Sequence, residues 1–504
     1  MHIYARAAHK PACGAVARAR YPRAVPRAAT LVAATLAAGF AAATPAHAAQ
    51  PGVTQISSDP YTTANAPSGQ HATEVEPDTF AFGSTVVSAF QTGRVFNGGA
   101  TDIGWATSSN GGVSWTHGFL PGTSKEAMKP GPFFSVSDPS VAYDARDGAW
   151  IISWLGAHFS GGGIVDVMVS RSTNGGLSWS TPVTVAATGV FYDKNWTACD
   201  NSPDSPFYGH CYTEFDNASR GDLELMSTSA DGGLSWGTPM PTADNVHGLG
   251  GQPVVQPNGR VVVPFEGFDG IRAFTSDDGG ATWNASALIS TRSAHRVPGL
   301  RTSQLPSAET NRHGRVYVVW QDNRFEPGGN ANDIVLSSSA DGTTWSRVRR
   351  IPLDPVGSNV DHFIPGIAIN PTSGGAHTQL GLTYYFDTVP NCTGTACQIQ
   401  VGFSSSLDNG QTWSTPQALT NPMQLGWLAP TTQGFMVGDY ISTSFLAGRQ
   451  RVVGAFAIGF APSSHRVLNE PMYAGLEKVR VGVNRTRSSS VLFNGAAATP
   501  SRTF

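Results

Sequence analysis

Charged side chains stand in or beside apolar, strand-like runs at several points of this sequence. They include Glu74 and Glu76, Asp138 before Pro139, Asp193 beside Lys194, Glu266, the Asp322-Asn-Arg324 cluster, and Asp439 beside Tyr440. Only 13% of the residues are charged, so charges in such settings call for a specific role. Carboxylates that converge from several chain segments suit glycosidic chemistry, in which one acid protonates the leaving oxygen and a second group acts as base or nucleophile. Arginines stand among these segments at Arg94, Arg301 and Arg324, and a guanidinium can hold a carboxylate through two parallel bonds. The catalytic candidates are Glu76, Asp193, Glu266, Asp439 and Tyr440. The candidates for substrate binding are Arg94, Asp138, Lys194, Arg324 and Tyr385. Plainer roles compete with these: Asp138 and Asp193 as turn caps, Asp322 and Arg324 as a solvated ion pair. Tyr384 and Tyr385 are adjacent on a strand, so they face opposite ways, which predicts one in the core and one free for the site.

The elements that must carry these residues are announced by a repeat. Ser229 to Trp236 reads Ser-Ala-Asp-Gly-Gly-Leu-Ser-Trp, and relatives end at Trp115, Trp179, Trp283, Trp345 and Trp413, six copies in all. Each lies between strand-like runs and reads as a hairpin turn. The Asp or Asn accepts bonds from nearby amides, the glycines take positive φ, and the Trp pins the turn to a neighbouring sheet. Spacings of 47 to 68 residues between successive tryptophans match four-stranded propeller blades, which bury their faces by packing on one another. The expected fold is all-β, a β-propeller of four-stranded antiparallel blades. Three strand-like runs follow the last repeat, and the lone run at Val53 supplies a fourth, so seven blades closed by an N-terminal strand are preferred over six.

Composition narrows the setting. The chain has 504 residues, a net charge of −3 and no long basic run, which argues against nucleic acid as a partner. Arg18, Arg20, Arg23 and Arg27 precede an apolar run from Ala28 to Ala43 and an Ala46-x-Ala48 site, the pattern of a secretory signal over residues 1–49. That run is shorter than the ~20 residues of a membrane span, so no transmembrane anchor is expected in the mature chain. The protein is expected to be secreted or periplasmic. Export permits disulfides, and Cys199 with Cys211 and Cys392 with Cys397 form two local pairs. Residues 50–480 form the propeller, and the Ser/Thr/Ala-rich stretch 481–504 is expected to be disordered.

The six boxes resemble the Asp-box, or BNR, repeat of the bacterial sialidase-like propeller superfamily. The resemblance implies an active site near the axis, on the face opposite the boxes, built from the entries to inner strands and the loops between second and third strands. Glu76, Asp138, Asp193, Lys194 and Asp439 fall in the first class, and Arg94, Glu266, Arg324 and Tyr385 in or beside the second. Sialidases carry an Arg-Ile-Pro motif near the propeller start, an arginine triad, a Tyr–Glu nucleophile pair and an Asp acid/base. No Arg-Ile-Pro stands near the N-terminus here, and Arg296-Val-Pro298 lies mid-chain. The resemblance implies an exo-acting, sialidase-like glycoside hydrolase with a glycan or polysaccharide substrate. The alternatives are a non-catalytic glycan- or protein-binding propeller, or a polysaccharide lyase using His71, His158, His362 or Tyr440 as base. No cofactor is required, although Asp138, Asp193 and Asp439 offer oxygen ligands for an axial calcium ion.

Overall fold

The computed structural model describes residues 52–464 and 467–482. The chain divides into Met1–Ala49 and Gln50–Phe504, and everything described lies in the second unit. The expected signal peptide, and the expected disordered tail beyond residue 482, lie outside the described residues.

The described chain is built of antiparallel strands, with short 3₁₀ turns and no α-helix among the described residues. From one box to the next the chain makes about four antiparallel passes, because alternating apolar positions are interrupted by Gly-rich turns at short intervals. The first sheet comprises Gly69–Phe82, Thr85–Val95, Ala100–Ser108 and Thr116–Phe119, and the second Ser135–Asp144, Ala149–Ala157, Val165–Ser172 and Val183–Ala186. A single pair, Ala100 with Val136, joins them. The third starts at Tyr192–Cys199, the fourth at Gly248–Leu249 with Val254–Val255, the fifth at Ser307–Thr310 and the sixth at His362–Ile369. The seventh is made of Ser442–Leu446, Arg451–Ala457 and Met472–Lys478, with Val53–Gln55 added at its edge.

That last pairing sets Val53 against Gly475 and Gln55 against Tyr473, as expected of the N-terminal run. The first of the three strand-like runs after the last repeat, Phe435 to Ile441, does not form the inner strand of this sheet, which begins at Ser442. Phe435 instead pairs with Pro430 in a two-stranded ribbon, and residues 437–441 cross to the seventh sheet without strand pairing. Gly438 sits at the crossing with φ +137°, and a Cβ there would meet Tyr440 O at 2.8 Å and the Glu76 amide nitrogen at 2.9 Å. Only glycine lets the two backbones approach so closely.

The first strands of successive sheets pack side by side: Gly69–Phe82 on Ser135–Asp144, that strand on Tyr192–Cys199, then Val254–Val255, Ser307–Thr310, His362–Ile369 and Ser442–Leu446, which packs again on Gly69–Phe82. Both faces of each sheet are thereby covered, so strands read as buried on both sides. Trp154, Trp320, Tyr212 and Phe265 are among the largest fully enclosed side chains.

The boxes are turns of the expected kind. In the copy at Ser229, Asp231 Oδ1 accepts the amides of Leu234 and Ser235, each at 3.0 Å, and Ser229 Oγ accepts the Gly233 amide at 2.9 Å. The two cysteine pairs are bonded, Cys199 to Cys211 across adjacent strands and Cys392 to Cys397 within one loop.

Candidate active site

Three inner strands carry the same irregularity at the same depth. The pairing slips between Val75 and Asp78, between Ser137 and Ser140, and between Asp193 and Trp196. Inside each slip one residue takes positive φ: Glu76 at 54°, Asp138 at 47° and Lys194 at 48°. A β-bulge re-aims a side chain, and a non-glycine residue in this region costs about 1–3 kcal/mol, strain of a kind that concentrates at functional sites. The sixth sheet repeats the bulge at Ile364, φ 50°, where the side chain is apolar.

The three re-aimed side chains meet. Lys194 Nζ donates to Asp439 Oδ2 at 2.6 Å and lies 3.3 Å from Asp138 Oδ2 and 3.7 Å from Glu76 Oε1. Arg301 holds Asp439 in a fork, Nε to Oδ1 at 2.7 Å with the second nitrogen on Oδ2. Gln91 donates its amide to Glu76 Oε2 and to Ser137 Oγ, the latter at 3.0 Å, and Ser137 Oγ donates to Asp138. Tyr440 donates to the Pro139 carbonyl at 3.1 Å, and its ring packs edge-on against Trp196 and lies 5.8 Å from Lys194 Nζ. A small recess opens beside the cluster, lined by Lys194, Trp196, Gly250, Gln252, Leu305 and Tyr440.

Burial and neighbours drive the acids apart. Desolvation, reinforced by the Asp138 charge, pushes Glu76 up to about 8 against the pull of Lys194. Burial also opposes ionisation of Asp439, but Arg301 and Lys194 outweigh it and hold this carboxyl well below the usual range. Lys194 loses solvation too, yet Asp138, Asp439 and Glu76 keep its ammonium firmly charged. One protonated carboxyl beside one ionised one is the division of labour that acid–base chemistry uses.

Other candidates are placed elsewhere. Asp193 does not point with Lys194: the bulge turns Lys194 to the cluster, while Asp193 pairs with Asp216, and Asp216 with Glu224, across three strands of the third sheet. Directly opposed residues share a face, so these form an acidic row, joined by Glu214 two residues before Asp216. No oxygen of Glu214, Asp216 or Glu224 makes a hydrogen bond of ordinary geometry among the described residues, and all three side chains are fully enclosed. Burial raises Asp193 to about 6 and Glu224 to about 7, and moves Glu214 and Asp216 well above the ordinary carboxylate range. Glu266 is engaged by Arg292 at 2.8 Å. Arg324 closes back on Asp322 with bonds of 2.8 and 2.7 Å, a local ion pair whose carboxylate is buried rather than solvated as its plainer role had it.

The expectation of one free tyrosine is corrected. Tyr384 and Tyr385 are 2% and 0% exposed, and Tyr385 donates to the Ala457 carbonyl at 2.9 Å. Neighbouring sheets cover both faces of this strand, so facing opposite ways frees neither ring. Arg94 is 2% exposed, with its guanidinium on the carbonyls of Val95 and Gly99 and on Met436 Sδ, and it forms no ion pair among the described residues. Arg301 stands among the arginines named from the sequence, and Gln91 is a participant that residue type does not reveal. Arg301 lies outside every strand and Gln91 is uncharged, so neither showed as a charge inside an apolar run.

A family model described as a BNR repeat-like domain matches residues 148–364. No curated protein matches the chain. Among solved structures, a protein of unknown function from Dyadobacter fermentans is similar at 16% identity and a TM-score of 0.47, over 85% of this chain and 100% of that one. The NanB sialidase of Streptococcus pneumoniae is similar at 14% identity and a TM-score of 0.43, over 84% and 70%. A polysaccharide lyase described as an ulvan lyase of family PL25 is similar at 10% identity and a TM-score of 0.47, over 82% and 96%.

Proposed function

We propose that the chain is an exported, carbohydrate-active, seven-bladed propeller of the sialidase-like type whose axial cluster acts as a glycoside hydrolase on an anionic sugar. The observation that carries this reading is the set of three equivalent bulges, which bring Glu76, Asp138 and Lys194 onto the Asp439–Arg301 pair. The cyclic packing of first strands, with Val53–Gln55 completing the last sheet, supports seven blades. Two disulfides support an oxidising compartment. No helix among the described residues is long and apolar enough to cross a membrane.

In this reading Glu76 keeps its proton near neutrality and delivers it to the glycosidic oxygen. Asp138, bridged to Glu76 through Gln91 and Lys194, serves as base or nucleophile. Arg301 and Lys194 grip the substrate's carboxylate, taking it in exchange for Asp439. A non-catalytic glycan-binding propeller is the second reading. It is favoured by one observation: Glu76, Asp138 and Asp439 are 1%, 3% and 4% exposed and already matched by internal partners. One paired screen separates them. The purified protein is offered synthetic glycosides, sialylated and uronate-containing glycans, and a glycan array. Release of a terminal sugar that Glu76→Gln abolishes while the fold is retained supports hydrolysis. Binding to the array without cleavage supports the second reading, and an unsaturated uronate product would place the chemistry with lyases.

A further inference from the structure

A second polar cluster lies away from the Lys194 hub, at the junction of the fifth and sixth sheets. Asp333 opens the third strand of the fifth sheet, Asp354 follows its outer strand Arg349–Arg350, and His362 opens the sixth sheet. One ligand atom from each of the three lies within 4.8 Å of the others. We propose that Asp333, Asp354 and His362 bind a divalent transition metal of the zinc class.

Two unsatisfied atoms point to a ligand. His362 is 3% exposed and its Nδ1 has no hydrogen-bond partner, and Asp333 is 1% exposed with Oδ2 in the same condition. An enclosed nitrogen or carboxylate oxygen left without a partner carries a desolvation cost, greater when charged, which a bound metal would relieve. The charge balance agrees. Asp333, Asp354 and Glu326 surround the single guanidinium of Arg350, which bonds Asp333 Oδ1 at 2.7 Å, also bonds Asp354 Oδ1, and lies 3.8 Å from Glu326. With a neutral imidazole the cluster holds a surplus of two negative charges, which one dication cancels. Arg350 and Ser358 then orient the two carboxylates from behind, as outer partners do in metal sites. The His362 ring is itself fixed against Tyr384 and Phe386. One imidazole and two carboxylates match zinc, with a fourth position for water, and they fall short of the six to eight oxygens that calcium takes.

The test uses the full exported chain, stripped with a chelator, dialysed and titrated calorimetrically with zinc chloride and separately with calcium chloride. We expect one zinc per chain at micromolar affinity or tighter, with calcium giving no saturable heat. Asp333→Asn and His362→Gln should each weaken zinc binding by more than about 100-fold, beyond the cost of losing an outer partner. Zinc should raise the melting temperature of the wild type and leave both variants unmoved. If His362→Gln does not fold, Asp333→Asn and the visible absorption of the cobalt-loaded wild type still decide, since a four-coordinate nitrogen–oxygen site gives intense bands. Absence of saturable zinc binding, binding indifferent to the substitutions, or only the weak bands of octahedral cobalt would each overturn the proposal.

Discussion

At the scale of single residues, Lys194 organises the axial cluster. Its ammonium faces three carboxylates and is 6% exposed, so its removal leaves buried negative charge whose remaining cationic partner among the described residues is Arg301. Breaking a buried ion pair by deleting one partner costs about 3–5 kcal/mol. Lys194→Met, similar in volume and without charge, is expected to lose that much in a urea titration, and a loss under about 1 kcal/mol would remove the hub role. The charged members of the site were visible in the sequence because a Glu, Asp or Lys inside an apolar run must be paired or functional. Their directions were not visible. Positive φ at Glu76, Asp138 and Lys194 has no signature in residue type, since glycine is the usual occupant of such positions. The bulge therefore brings Lys194, and not Asp193, onto the cluster.

At the scale of elements, the box turn is a local device whose worth is measurable. Asp231 accepts two amides and the Ser235 hydroxyl, and although partial burial opposes ionisation these bonds hold its carboxyl below the usual range. An acceptor that satisfies orphan amides in this way resembles a helix cap, whose replacement by alanine costs about 0.5–2 kcal/mol. Asp231→Ala is expected to lower stability by that amount while binding or cleavage at the axial face is unaltered, as melting curves and the glycan assay together would establish. Turn chemistry of this kind made the sheets readable, because Asp, Gly and Trp each have one local job. The crossing at residues 437–441 is hidden in the sequence for the opposite reason. Its apolar residues imitate a strand, and its path is set by the approach of Gly438 to the Glu76 backbone, a contact between residues far apart in sequence.

At the scale of the whole molecule, buried acids set the response to pH. Burial raises Asp78, Asp102 and Asp387 to about 7 and Glu309 to about 8, beside Glu224 and Glu76. Between about pH 4 and 8 the unfolded chain releases protons that the folded chain keeps, so stability falls as pH rises through that window. The box acids Asp231, Asp278 and Asp408 act oppositely, and their contribution is lost as pH falls below about 4. Maximum stability is expected near pH ~5, with denaturation midpoints declining towards pH ~8. Glu224→Gln should flatten that decline, and a midpoint that rises between these limits would contradict the assignment. The edge strand at Val53 has a consequence of timing. It pairs with the strand around Gly475, so the first strand of the described chain waits for the last before it finds its partner. Bringing such distant segments together is slow and adds loop-closure entropy. A chain emerging from its N-terminus therefore cannot finish its seventh sheet until Met472–Lys478 has emerged.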